Sequence, residues 1–150
     1  MMDVKCWMKS ENKILEMSFE FSLQIIELYK ILVLQKEFII SKQLLKCATC
    51  IGANVEEANA AQTKKDFILK MSIASKEARE TRYWLKLLEK SKLVIHDYSR
   101  YFITIEAIIN ILTKIVKTSQ ETILNKRIYI SSRTFNIQHS TFSIKESPLC

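Results

Sequence analysis

The sequence predicts an all-α protein, an antiparallel up-down-up-down four-helix bundle followed by a poorly structured C-terminal tail. Three observations carry that prediction. Apolar residues recur at three- and four-residue steps over four long stretches, the period of a helix with one buried face. The chain of 150 residues holds one Gly and one Pro, whereas sheets joined by tight turns use both freely. The stretches are separated by only a few residues, and short connections make consecutive helices antiparallel neighbours.

Taken in order, Ser10 is placed to cap a first helix running to about Leu34, leaving residues 1–9 as a flexible N-terminus. Ile14, Met17, Phe21, Ile25, Leu28 and Leu32 form its stripe. A second stripe, Leu15, Phe19, Leu23, Ile26 and Val33, occupies the opposite flank. Together they make a wider apolar arc than one bundle core consumes, so a partner is expected to cover the surplus at Phe19, Leu23 and Ile26. The second helix is expected over Glu37–Ala61, with Ile40, Leu44, Ala48, Ile51, Val55 and Ala58 inward. Gly52 lies in its middle, where it costs up to about 1 kcal/mol relative to Ala; a close helix approach or a local bend would each explain it. Thr63 and Asp66 resemble a capping box opening a third helix to about Lys92, with Phe67, Met71, Ala74, Ala78, Leu85 and Leu88 inward. The fourth is expected from near Asp97 to about Thr122, through Tyr98, Tyr101, Ile105, Ile108, Ile109, Leu112, Ile115 and Val116. Residues 125–150 are rich in Ser, Thr and β-branched residues, lose the helical period and include Pro148, which reads as a tail. The bundle is thus assigned to residues 10–124.

Charge is unevenly spread. Residues 63–92 hold nine basic against four acidic groups and residues 123–150 four against one, while the rest nearly balances, so the net +7 sits in the third helix and the tail. At about 100° per residue, Lys65, Lys76, Arg79, Lys86 and Lys90 share the side opposite Phe67 and Leu85, with Arg82 and Lys64 at its edge. Tyr83 stands among them and could stack on an unpaired base. A solvated face whose cations pair with Glu77, Glu80 and Glu89 is the competing reading.

Catalytic patterns are absent from the sequence. A chain with one Gly has no phosphate loop. His96 and His139 have no Glu three residues before them, as a di-iron bundle site would require. No apolar run approaches the roughly 20 residues that span a bilayer, and the N-terminus lacks a leader-like stretch, so a cytoplasmic, non-enzymatic protein with no membrane partner, cofactor or metal is expected. Cys47 and Cys50 form a Cys-x-x-Cys pair inside a helix, away from any strand; with only Cys6, Cys150, His96 and His139 as further thiol or imidazole ligands, it reads as small packing residues.

The segment Ile51-Gly52-Ala53-Asn54-Val55-Glu56-Glu57-Ala58, together with Asp66-Phe67 through Ile73-Ala74 and Glu80 to Leu85, resembles a known family. It is the four-helix-bundle family that includes proteins encoded by intervening sequences in bacterial large-subunit ribosomal RNA genes; a more distant relative is the accessory variability determinant of diversity-generating retroelements. The resemblance covers about residues 10–122, and Ala58 stands where the family has Gly. It implies a bundle that assembles into a ring-like homopentamer. Asn54, Glu57 and Glu80 match the family's polar positions; such groups, hydrogen-bonded or paired when buried, can fix helix register and subunit orientation, and a small-molecule or metal pocket is the competing reading. The retroelement relatives bind nucleic acid and a reverse transcriptase. Two functions follow as expectations: a homo-oligomeric module binding RNA or DNA through the basic third helix, or a scaffold that receives another protein and binds no nucleic acid.

Overall fold

A computed structural model describes residues 4–142 of the chain, with side chains over 12–133. Four helices follow one another: α1 Val4–Leu34, α2 Ile40–Asn59, α3 Lys64–Ser91 and α4 Ser99–Phe142. The chain divides into two units, Met1–Lys117 and Thr118–Cys150, and the core belongs to the first.

Neighbouring helices run antiparallel, as the cross-helix contacts show. Ser18 and Ser22 of α1 lie against Gly52 and Ala48 of α2. Moving along α2, Cys47 meets Glu80 whereas Glu57 meets Lys70. Between α3 and α4, Arg79 reaches Thr113 and Arg82 reaches Glu106. In the last two pairs of helices, a step forward on one helix is a step back on its neighbour. The predicted stripes are the core: Ile14, Phe21, Leu44, Ile51, Leu85, Leu88, Tyr101, Ile105 and Leu112 are all fully buried. Met17, Ile40 and Val116 pack against that core from its edge, and Val94, from the connection before α4, joins it.

Gly52 marks a close approach. A Cβ added there would stand 3.3 Å from the Ser22 hydroxyl and 3.6 Å from the Ser18 carbonyl oxygen. The missing side chain lets α1 pack on the α2 backbone, which decides between the two explanations the sequence allowed.

The helix ends have identifiable causes. Thr63 is the N-cap of α3, its hydroxyl accepting from the Asp66 N–H at 3.1 Å. The start of α2 is capped by Glu37, which the sequence placed inside that helix. Its carboxylate accepts from the N–H groups of Ile39, Ile40 and Ser41 at 3.0, 2.8 and 2.6 Å. Burial pushes this carboxyl up, but those hydrogen bonds outweigh it and hold the group below its ordinary range. Asp97 plays the matching part before α4, accepting from the Ser99 N–H at 3.0 Å. Lys36 and Lys92, just past α1 and α3, adopt the left-handed conformation at φ 63° and 53°, one that helix ends favour and Gly takes at least cost.

Two boundaries correct the sequence reading. α1 begins at Val4, so Ser10 lies within the helix and is not its cap. α4 runs on to Phe142 through most of the expected tail. Ser, Thr and β-branched residues cost only a few tenths of a kcal/mol each in a helix, and no Gly or Pro interrupts Ser99–Phe142. Pro148 lies outside the described residues.

Two substitutions test this account. Glu37→Ala should lower stability by about 0.5–2 kcal/mol in denaturant unfolding at neutral pH. Because the folded-state pKa is depressed, this stabilisation is present above the ordinary carboxylate range and fades as pH falls through the folded value, so parent and variant should converge in acid. Gly52→Val should cost about 1–3 kcal/mol by overpacking, read as an earlier midpoint in the same unfolding curve.

Candidate nucleic-acid interface

The buried stripe of α3 turns its opposite side outward, and the structure sorts the cations found there. Lys65, Lys76 and Lys86 are exposed and make no ion pair among the described residues. The two arginines differ. Arg79 folds back on its own helix, donating to the Ser75 carbonyl at 2.9 Å and to the Ser75 hydroxyl, and its other nitrogen donates to Thr113 of α4 at 3.1 Å. Arg82 donates to both Glu106 oxygens, at 2.9 and 3.1 Å. Both guanidinium groups therefore join α3 to α4, and Lys90 lies 3.6 Å from Glu89. Tyr83 keeps 55% of its surface exposed, its ring edge-on to Trp84 at 5.2 Å between centroids. The sequence placed seven residues, Lys65, Lys76, Arg79, Arg82, Tyr83, Lys86 and Lys90, on this face. Three unpaired lysines and one open ring remain to meet a ligand.

The polar positions near the core are occupied structurally. Asn54 donates to the Cys50 carbonyl of its own helix at 2.8 Å. Glu57 pairs across to Lys70, and that carboxylate holds the ammonium above its ordinary pKa. Glu80 accepts from the Trp84 indole N–H at 3.3 Å.

One constellation escaped the sequence reading, which set Cys47 only beside other Cys and His residues and weighed Glu80 for a pocket only beside Asn54 and Glu57. Cys47, Glu77 and Glu80 offer three ligand atoms within 4.8 Å of one another between α2 and α3. A metal would need the thiolate, yet burial, then a hydrogen bond to Glu80 and the charges of Glu80 and Glu77, push the Cys47 thiol up to about 12. The arrangement favours a protonated thiol donating to a carboxylate. His96 stands 5.4 Å from the Tyr98 ring and 6.1 Å from that of Tyr101, packed as an aromatic. His139 lies outside the residues whose side chains are described.

On α1, Phe19 and Leu23 are 59% and 44% exposed and Ile26 is half-buried. Beside them a cavity of about 290 Å³ runs between α1 and α2, lined by Leu15, Ser18, Phe19, Ser22, Thr49, Gly52, Ala53 and Glu56. No described helix is long and apolar enough to cross a membrane.

Fold and surface define an all-α bundle with an outward cationic helix face and an uncovered apolar flank. The chain belongs to the 23S rRNA-intervening sequence protein family, whose model matches residues 10–118. It is similar, at 44% identity and a TM-score of 0.59, to a protein of unknown function from the S23 ribosomal protein family of Bacteroides thetaiotaomicron VPI-5482, solved by crystallography at 1.70 Å; the match covers 76% of this chain and 97% of that one. No curated protein matches the chain.

The thiol environment has a direct check. Under native conditions at pH 8, alkylation followed by peptide mass mapping should leave Cys47 unmodified, and the same residue should react fully once urea unfolds the bundle.

Proposed function

We propose that this protein is a non-enzymatic, cytoplasmic, homo-oligomeric module that binds RNA or DNA through the outward face of α3. The observation that carries the reading is the set of exposed lysines, Lys65, Lys76 and Lys86, without acidic partners among the described residues and with Tyr83 beside them. Lysines meet phosphates as point charges and release counterions, while an open aromatic ring stacks on an unpaired base. Three such contacts on one subunit make a weak site. Repetition around an oligomer would strengthen it through effective concentration, with no new contact required.

Self-association has its own support in the exposure of Phe19 and Leu23 and in the apolar cavity at their side. Covering this flank with a second copy removes large apolar side chains from water, at about 25 cal/mol per Å². A homopentamer is the assembly we propose, following the family resemblance.

A scaffold that receives another protein and binds no nucleic acid is the second reading. It is favoured by the engagement of Arg79 and Arg82 with α4, which takes two of the strongest phosphate-binding side chains out of use. The two readings part on one experiment.

Nucleic-acid-free protein should shift mixed single-stranded RNA at low salt, with a log-log salt slope of about −2 for three phosphate contacts. Lys65→Glu, Lys76→Glu and Lys86→Glu together should abolish the shift while leaving the oligomer intact; no shift by the parent protein would decide for the scaffold. Light scattering should give five times the 17.6 kDa chain mass, and Phe19→Glu with Leu23→Glu should reduce it to one chain. A monomeric parent would refute the assembly.

A further inference from the structure

Residues Thr118–Cys150 form a unit of their own, and α4 runs through them as far as Phe142. Between Glu121 and Glu146 this unit has no acidic residue, while Lys126, Arg127 and Arg133 fall within the helix. Offsets of three and seven residues put Lys126, Tyr129 and Arg133 on one helix face, while Arg127 lies about 100° round the helix from Lys126. These side chains are exposed, and the three cations make no ion pair among the described residues. Tyr129 keeps 61% of its surface exposed, and the Arg133 guanidinium lies 5.8 Å from its ring centroid.

The chemistry of this face selects among ligands. Cations on either side of an open ring suit a single strand: phosphates meet the charges, and a base stacks on the ring and the guanidinium plane. A duplex offers no free base face, because its bases are stacked on one another. An anionic membrane wants an apolar stripe on one side of the helix, whereas the exposed Leu124, Ile128, Tyr129 and Ile130 are spread around it at 100° per residue. Unpaired strands in a cell are chiefly RNA loops and ends, which are the usual targets of ring-stacking recognition.

We propose that the Lys126–Tyr129–Arg133 face of α4 is a contact site for single-stranded RNA. The proposal rests on the nucleic-acid reading above and adds to it a second element, with Tyr129 as the stacking platform and Lys126 and Arg133 as phosphate contacts.

The test uses the full chain and a fluorescein-labelled, unstructured A/U oligoribonucleotide of about 20 nucleotides, read by anisotropy, with a duplex RNA alongside. Tyr129→Ala should weaken single-strand binding about tenfold or more and leave duplex binding unchanged, while Tyr129→Phe should bind like the parent. Lys126→Glu with Arg133→Glu should move the log-log salt slope toward zero by about 1.4, with helicity and melting temperature unchanged. The α3 triple-lysine variant is measured in parallel. If it loses binding while the α4 variants bind like the parent, this inference is overturned and the α3 reading stands. If the α4 variants lose binding and the α3 variant does not, the inference stands and the α3 reading fails. A parent that binds no RNA overturns both, as does one that binds only vesicles of anionic lipid.

Discussion

Burial of the Phe67, Met71, Ala74, Ala78, Leu85 and Leu88 stripe sets the rotation of α3 about its own axis, and the other features of the outer surface follow from that angle. With the stripe inward, Glu80 and Lys70 reach α2 while Arg79 and Arg82 reach α4. Only the residues furthest from the core, among them Lys65, Lys76, Tyr83 and Lys86, are left to solvent. A rotation by one residue's worth of helix, about 100°, would bury charge on one side and expose Leu85 and Ala78 on the other. The cationic face is thus held in place by the apolar one.

That coupling explains what the sequence could and could not disclose. The stripes were legible because periodicity is a local property, and Thr63 as a cap was legible because its partner Asp66 is three residues away. Gly52 was legible as a special position, but its cause needed Ser18 and Ser22 of another helix. Arg79 and Arg82 read as free cations because nothing local shows that Thr113 and Glu106 stand opposite them. The Cys47, Glu77 and Glu80 group was hidden for the same reason, Cys47 lying 30 and 33 positions before the two glutamates.

The two misplaced helix boundaries have a different origin. Low intrinsic propensity at Ser and Thr was read as a stop, yet propensity is a weak prior without Gly or Pro to enforce it. At α2 the error ran the other way: Glu37, a good helix former, serves instead as the capping acceptor for three backbone N–H groups.

The end of the bundle where α1 stops, α2 starts, α3 stops and α4 starts carries its charges in alternation. Lys36 and Lys92 follow the carbonyl ends of α1 and α3, and Glu37 and Asp97 precede the amide ends of α2 and α4. Each sign complements the helix dipole beside it, and the Glu37 charge is close enough to be felt at Tyr98, from the α3–α4 connection. Lys90 and Arg100 stand at the same end and the Arg100 charge is felt at Asp97, so the compensation is local to each helix end and leaves this end of the bundle with some of the chain's positive excess. Lys36, Glu37, Lys92 and Asp97 are thus each held to their sign by the backbone beside them, a constraint on composition at positions that face away from the core.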